Sequence, residues 1–126
     1  MYKIFLVGIG GFLGSAARYM MTEWMHRLSN QHWFPFGTFV CNILGCFLIG
    51  LTAGVIDLKH VGNEQIRLFL VVGILGGFTT FSSFGHESVN LFRDAQNTGA
   101  MLYILSSVIL CLSSAWLGYY LATRPN

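Results

Sequence analysis

The sequence predicts an all-α integral membrane protein, with four transmembrane helices in one domain spanning residues 1–126. Two observations carry the prediction. Of 126 residues, 54% are hydrophobic and 10% are charged, with a mean hydropathy of +0.61; soluble domains run near a quarter charged. Charge is also absent from three long runs, Leu28 to Ile56, Leu68 to His86 and Ala95 to Thr123. Each can supply the roughly 20 apolar helical residues that cross a bilayer core about 30 Å thick. So few charges cannot hold this much apolar surface in water, which excludes a cytosolic globular enzyme. The net charge of +2 is too small for an electrostatic nucleic-acid binder.

The spacing places helices at about 4–25, 34–56, 66–92 and 99–122. The first apolar run, Ile4 to Ala17, reaches membrane length only if its helix continues through Arg18 to about Met25. Lys3, the apolar stretch and Ser15-Ala16-Ala17 imitate a signal peptide. Gly8, Gly10, Gly11 and Gly14 argue instead for a packed helix, because small residues let helices approach closely in lipid. Pro35 suits the first turn of helix 2, where a missing N–H costs little. Short polar loops follow at Arg27–His32, Asp57–Glu64 and Arg93–Asn97. Trp24, Trp33, Phe34 and Phe36 near the first loop, with Tyr119 and Tyr120 near the end, suit interfacial aromatic belts.

Four spans put both termini on one side with the second loop. That side carries Lys3, Lys59, Arg67 and Arg124; the other carries Arg27, Arg93 and Arg18. This near-balance is a weak orientation signal. It leaves open insertion in both directions and an antiparallel homodimer. Small residues four apart occur in every helix: Gly10/Gly14, Gly50/Gly54, Gly73/Gly77 and Ser114/Gly118. Packing within the chain explains most of them, and four helices alone leave little room for a hydrated pathway, so a pore is expected between subunits.

The richest segment is Gly76-Gly77-Phe78-Thr79-Thr80-Phe81-Ser82-Ser83-Phe84-Gly85, in the middle of helix 3. Its glycines and hydroxyl residues weaken a helix. An opened turn there would free carbonyls of the kind that coordinate cations in discontinuous membrane helices; an ordinary helix with small packing residues is the alternative. Phe78, Phe81 and Phe84 recur every third residue, a spacing typical of packing. Interleaved with Thr79, Thr80, Ser82 and Ser83, they also place positive ring edges beside hydrogen-bond donors. That combination holds a small anion weakly enough to release it.

Asn42 is the strongest single polar residue in helix 2, with Thr38 and Gly45 on its face. It reads either as interhelical glue or as a pore donor. Tyr103, Ser107 and Ser114 share a face of helix 4, beside Ser106 and Ser113; they are packing residues or a polar track. Arg18 and Glu87 are ionisable residues at membrane depth, functional candidates by default. Arg18 serves an anion vestibule or snorkels to headgroups; Glu87 pairs with Arg18 or with another helix.

Other chemistries fail. His26, His32, His60 and His86 lack ligand spacing, and His86-Glu87 lacks the second His of a zinc-protease motif. Cys41, Cys46 and Cys111 lie in spans without a paired-cysteine motif and read as small apolar residues. No phosphate-binding glycine loop and no nucleophile with its base occur, so no enzyme is expected.

Nearly the whole chain resembles the Fluc, or CrcB, family of bacterial fluoride channels. The resemblance rests on Gly10-Gly11-Phe12-Leu13-Gly14-Ser15-Ala16-Ala17-Arg18-Tyr19, on Gly37-Thr38-Phe39-Val40-Cys41-Asn42-Ile43-Leu44-Gly45, and on Gly76-Gly77-Phe78-Thr79-Thr80-Phe81-Ser82-Ser83-Phe84. It implies an antiparallel, dual-topology homodimer in the bacterial inner membrane, with the third helix broken mid-membrane. It implies two separate pores for passive fluoride efflux, protecting against fluoride toxicity. Phe81 and Phe84 would face fluoride, Asn42 would be the polar residue near them, and Ser83, Tyr103 and Ser107 would line a hydrogen-bonding track. The carbonyls of Gly76 and Thr79 from both subunits would hold a structural sodium ion. Arg18, Thr38, Thr80, Glu87 and Ser114 would give vestibule or polar support. Where relatives carry further hydroxyls after Ser107, this chain has Cys111 and Ala115, with Ser114 near the same face.

Two rivals stand beside that reading. A dual-topology, proton-coupled multidrug exporter needs a mid-span carboxylate in its first helix, where this chain has only Glu23 near the end. A structural or assembly protein would use the Phe and Ser/Thr pattern as packing alone.

Overall fold

In a computed structural model, residues 1–30, 33–59 and 63–124 are described. His32 and His60, weighed as metal ligands, lie outside them. The described chain is all-helical: α1 (Tyr2–Leu28), α2 (Phe36–Lys59), α3 (Glu64–Ile66), a π-helical stretch (Arg67–Leu75), α4 (Gly76–Phe78), α5 (Phe81–Arg93) and α6 (Asn97–Thr123). Four spans are long and apolar enough to cross a membrane, the third running from Glu64 to Arg93.

The first helix does continue through Arg18, and it runs about a turn beyond the expected end. Pro35 falls one residue before α2, where its carbonyl accepts the Phe39 N–H at 3.1 Å. The turn into α6 is tight. Ala95 adopts φ 58°, and the Gln96 N–H reaches back to the Leu91 carbonyl at 2.9 Å. That pattern closes a helix with a left-handed residue, a place usually given to glycine.

Glycines decide how the spans pair. A Cβ on Gly10 would lie 2.5 Å from the Phe69 carbonyl oxygen, and one on Gly77 would lie 2.6 Å from that of Gly11. Gly14 seats against the Ile74 carbonyl in the same way. The first span therefore runs parallel to the first half of the third, backbone on backbone. At its start, Lys3 forms an ion pair of 2.6 Å with Glu64.

Span 2 and span 4 repeat the device. Gly50 seats against the Ala115 carbonyl, Gly118 against that of Phe47, and Gly54 against the Ala122 methyl. The small-residue pairs thus work within the chain, as their packing reading requires. Two parallel helix pairs make up the bundle. Its buried centre at one end is Leu91, Ala100 and Tyr103, ringed by Phe34, Phe39 and Phe84.

Candidate functional site

Helical pairing stops within the third span. The Thr79 N–H bonds back to the Leu75 carbonyl at 3.0 Å, and its hydroxyl donates to the same oxygen at 3.0 Å. Thr79 and Thr80 are then extended, with φ/ψ of −88°/152° and −150°/118°. The helix resumes at Phe81, where the Thr80 hydroxyl caps it by accepting the Ser83 N–H at 3.2 Å. Threonine at that position is a good N-cap, because its oxygen reaches an otherwise orphaned amide.

Asn42 holds the interruption from α2. Its Nδ2 donates to the Thr80 carbonyl at 3.0 Å, and its Oδ1 accepts the Thr80 N–H at 2.8 Å. One side-chain amide replaces both helical partners of one residue. Each unsatisfied backbone group in lipid costs several kcal/mol, so this pair of bonds is what allows the extended residues. Gly45, one turn beyond Asn42, has no side chain and lets the Thr79 methyl sit against α2.

The exchange has a consequence for the carbonyls. The amide four residues beyond Gly76 is Thr80 N–H, which goes to Asn42. The amide four residues beyond Thr79 is Ser83 N–H, which goes to the Thr80 hydroxyl. Both carbonyls therefore lose their helical amides. Gly76 is exposed on the surface of the chain.

Beside the interruption lies a cavity of about 240 Å³ lined by Asn42, Cys46, Thr79, Thr80, Phe81, Phe84, Ser107, Val108 and Cys111. This is room for several water-sized particles. The Phe81 and Phe84 rings stand 5.4 Å apart at 43°. Phe81 is 82% exposed on the single chain, whereas Phe84 leans on the Tyr103 ring at 5.3 Å. Two of the lining residues, Asn42 and Ser107, keep hydrogen-bonding capacity that no protein group takes up. Asn42 has a second amide hydrogen. Ser107 Oγ is buried and, among the described residues, bonds to nothing, although a buried hydroxyl normally finds an acceptor.

The other expected site residues sit apart from the cavity. Tyr103 is fully buried and donates to Glu87 Oε2 at 2.7 Å; Thr38 donates to Glu87 Oε1 at 2.6 Å. The Glu87 carboxylate thus ties span 3 to spans 2 and 4, not to Arg18. Arg18 is half-buried on α1, its carbonyl 3.9 Å from the Cys41 thiol. Ser83 accepts from the Thr80 hydroxyl at 3.2 Å. Ser114 lies beyond the cavity, beside the contact of Gly50 with Ala115.

Cys46 and Cys111, read from the sequence as small apolar residues, also line the cavity. Their spacing was the available signal. Cys46 lies four residues after Asn42, and Cys111 four after Ser107, so each shares its neighbour's helix face.

A family profile described as CrcB-like protein, camphor resistance (CrcB), matches residues 5–119. The chain belongs to the CrcB family. Among curated relatives, the fluoride-specific ion channel FluC of Ruminiclostridium cellulolyticum is 43% identical, covering 97% of this chain and 93% of its own. Proteins of the same name from Methylobacillus flagellatus and Flavobacterium psychrophilum are each 41% identical. They cover 96% and 97% of this chain, and 94% and 98% of their own. These CrcB relatives therefore match almost end to end, with the cavity included.

The Asn42 bonds predict a large stability effect. Asn42→Ala leaves two buried backbone groups without partners, at about 1–3 kcal/mol each. Unfolding in mixed detergent micelles should show a loss of about 2–6 kcal/mol. A variant within about 0.5 kcal/mol of the parent would mean that Asn42 does not hold the interruption.

Proposed function

We propose that this chain is a fluoride-selective channel giving passive efflux across the bacterial inner membrane. One observation carries the reading: two phenyl rings, the unpartnered Ser107 hydroxyl and an Asn42 amide with one hydrogen to spare belong to residues lining one cavity, with no charged lining residue. Fluoride is a small anion that must trade its hydration for hydrogen bonds. Asn42 and Ser107 supply donors, and ring edges of Phe81 and Phe84 supply positive electrostatic potential. Neutral groups bind an anion weakly enough that it leaves again. The relatives' printed name supports the same ion.

The conducting unit is an antiparallel homodimer with two pores. The near-balance of basic residues between the two ends, and the exposure of Phe81 on the protomer, support this arrangement. A proton-coupled exporter finds no support in the cavity, whose lining includes no carboxylate.

A sodium ion fits the same dimer. The Gly76 and Thr79 carbonyls lack helical amides, and hard cations take oxygen ligands. The Gly76 and Thr79 carbonyl oxygens are the donors proposed for such an ion. When bound it supplies a fixed positive charge at the interface, while these residues hold the broken helix in place.

Reconstituted in liposomes, the protein should release fluoride to an external electrode rapidly, with chloride nearly retained and no accompanying proton movement. Protein that is folded and dimeric yet releases no fluoride would overturn the reading.

Phe81→Ile removes a ring edge while keeping an apolar side chain. It should slow release roughly tenfold, the rate equivalent of about 1.4 kcal/mol, with the dimer intact by size-exclusion chromatography. An unchanged rate would remove Phe81 from the pathway.

Replacing sodium with a large organic cation should lower the dimer's thermal midpoint, and added sodium should restore it. A midpoint independent of sodium counts against the carbonyl site.

A further inference from the structure

Cys46 and Cys111 come from helices far apart in sequence, yet both line the cavity. Cys46 on α2 and Cys111 on α6 line the same side of the bundle at matching levels of two packed helices. The approach of the two helices is fixed nearby. Gly50, one turn beyond Cys46, seats on the backbone of Ala115, one turn beyond Cys111. Both cysteines are free thiols. The third, Cys41, is fully buried beside the Arg18 carbonyl and does not line the cavity.

We propose that Cys46 and Cys111 form a dithiol site for a soft, two-coordinate metal cation, Cu(I), Ag(I) or Hg(II), and that an ion held there closes the pore cavity. Thiolates select soft cations. With no third His, Cys, Asp or Glu converging among the described residues, a tetrahedral zinc site, which takes four ligands, is not available. Two thiolates on neighbouring helices are instead the full ligand set of a linear ion.

Binding of Hg(II) breaks two S–H bonds and forms two S–Hg bonds. Two protons leave to water, and no oxidation state changes. The bridge joins α2 to α6 beside Ser107 and Phe84, in the space an anion would occupy. With Ag(I) or Cu(I), the two thiolates leave a net charge of −1, which repels fluoride where the dielectric is low.

Metal binding stands on the placement of the two cysteines around one cavity, whereas closure of the pore rests on the fluoride-channel reading. The test separates them. Purified, reduced full-length dimer is titrated with mercuric chloride in detergent. Thiols are then counted in SDS, and bound mercury is read by intact mass. One mercury per chain should remove two of the three thiols. The variant Cys41→Ala should keep the two-for-one loss, and Cys46→Ser and Cys111→Ser should each reduce it to one for one. A one-for-one loss in the parent protein, or loss of bridging in Cys41→Ala, overturns the site.

The same preparations in liposomes test closure. Mercury should abolish fluoride release from the parent protein, and excess dithiothreitol should restore it; release through either Ser variant, where mercury on one thiol cannot join α2 to α6, should be inhibited less than through the parent. Bridging with undiminished release overturns closure. A parent protein that releases no fluoride before mercury is added counts against the channel reading, and the thiol count then decides the site by itself.

Discussion

A single carboxamide bears on everything else in this bundle. Asn42 gives and takes one hydrogen bond with the backbone of Thr80, in a medium where an unpaired amide has no water to turn to. Because those two bonds are made, the third span can leave helical geometry for two residues. Because it leaves, Phe81 starts a new helix and is carried to the protomer surface, and the Gly76 and Thr79 carbonyls are released. The cavity opens beside that interruption. Remove the clamp, and the least costly course for the span is to close into an ordinary helix, with its Phe residues in another phase.

The clamp works only if α2 lies at one fixed depth and rotation beside the third span. Glycine supplies that placement. In lipid no hydrophobic force draws helices together, so close backbone contact must do so. Gly10, Gly14 and Gly77 lock the first span to the third, while Gly50, Gly54 and Gly118 lock the second to the fourth. Glu87 then bonds Thr38 and Tyr103, joining the two helix pairs at the end where Phe34, Phe39 and Phe84 pack. Among the described residues, Ser107 Oγ is the buried side-chain polar atom without a hydrogen-bond partner.

Much of this was legible in the sequence. Charge-free runs located three of the four spans, and the first followed from carrying its short apolar run on through Arg18, since length and apolarity are what a bilayer requires. The run from Gly76 to Phe84 announced a weak point in the third helix, and Asn42 announced itself as an amide in need of partners. What remained open was who bonds to whom. Whether Glu87 met Arg18 or another helix depends on rotations that no single helix encodes. The π-helical winding of Arg67–Leu75 leaves no trace in an apolar run, because its residues would suit an α-helix equally. Cys46 and Cys111 were read one helix at a time, and only the packing of α2 on α6 turns them into a pair.

The Asn42 clamp also bears on how the protein is made. Its two halves are synthesised separately, with span 2 leaving the ribosome before span 3. Until they meet, extended residues at Thr79–Thr80 would stand bare in lipid, at several kcal/mol for each exposed backbone group. The third span thus has reason to enter the bilayer as a continuous helix and to open only when α2 is already alongside. On this account the interruption is a product of assembly rather than of insertion. A chain that has not assembled presents no open backbone to its neighbours, and a pore-forming conformation arises only in a bundle that is already complete.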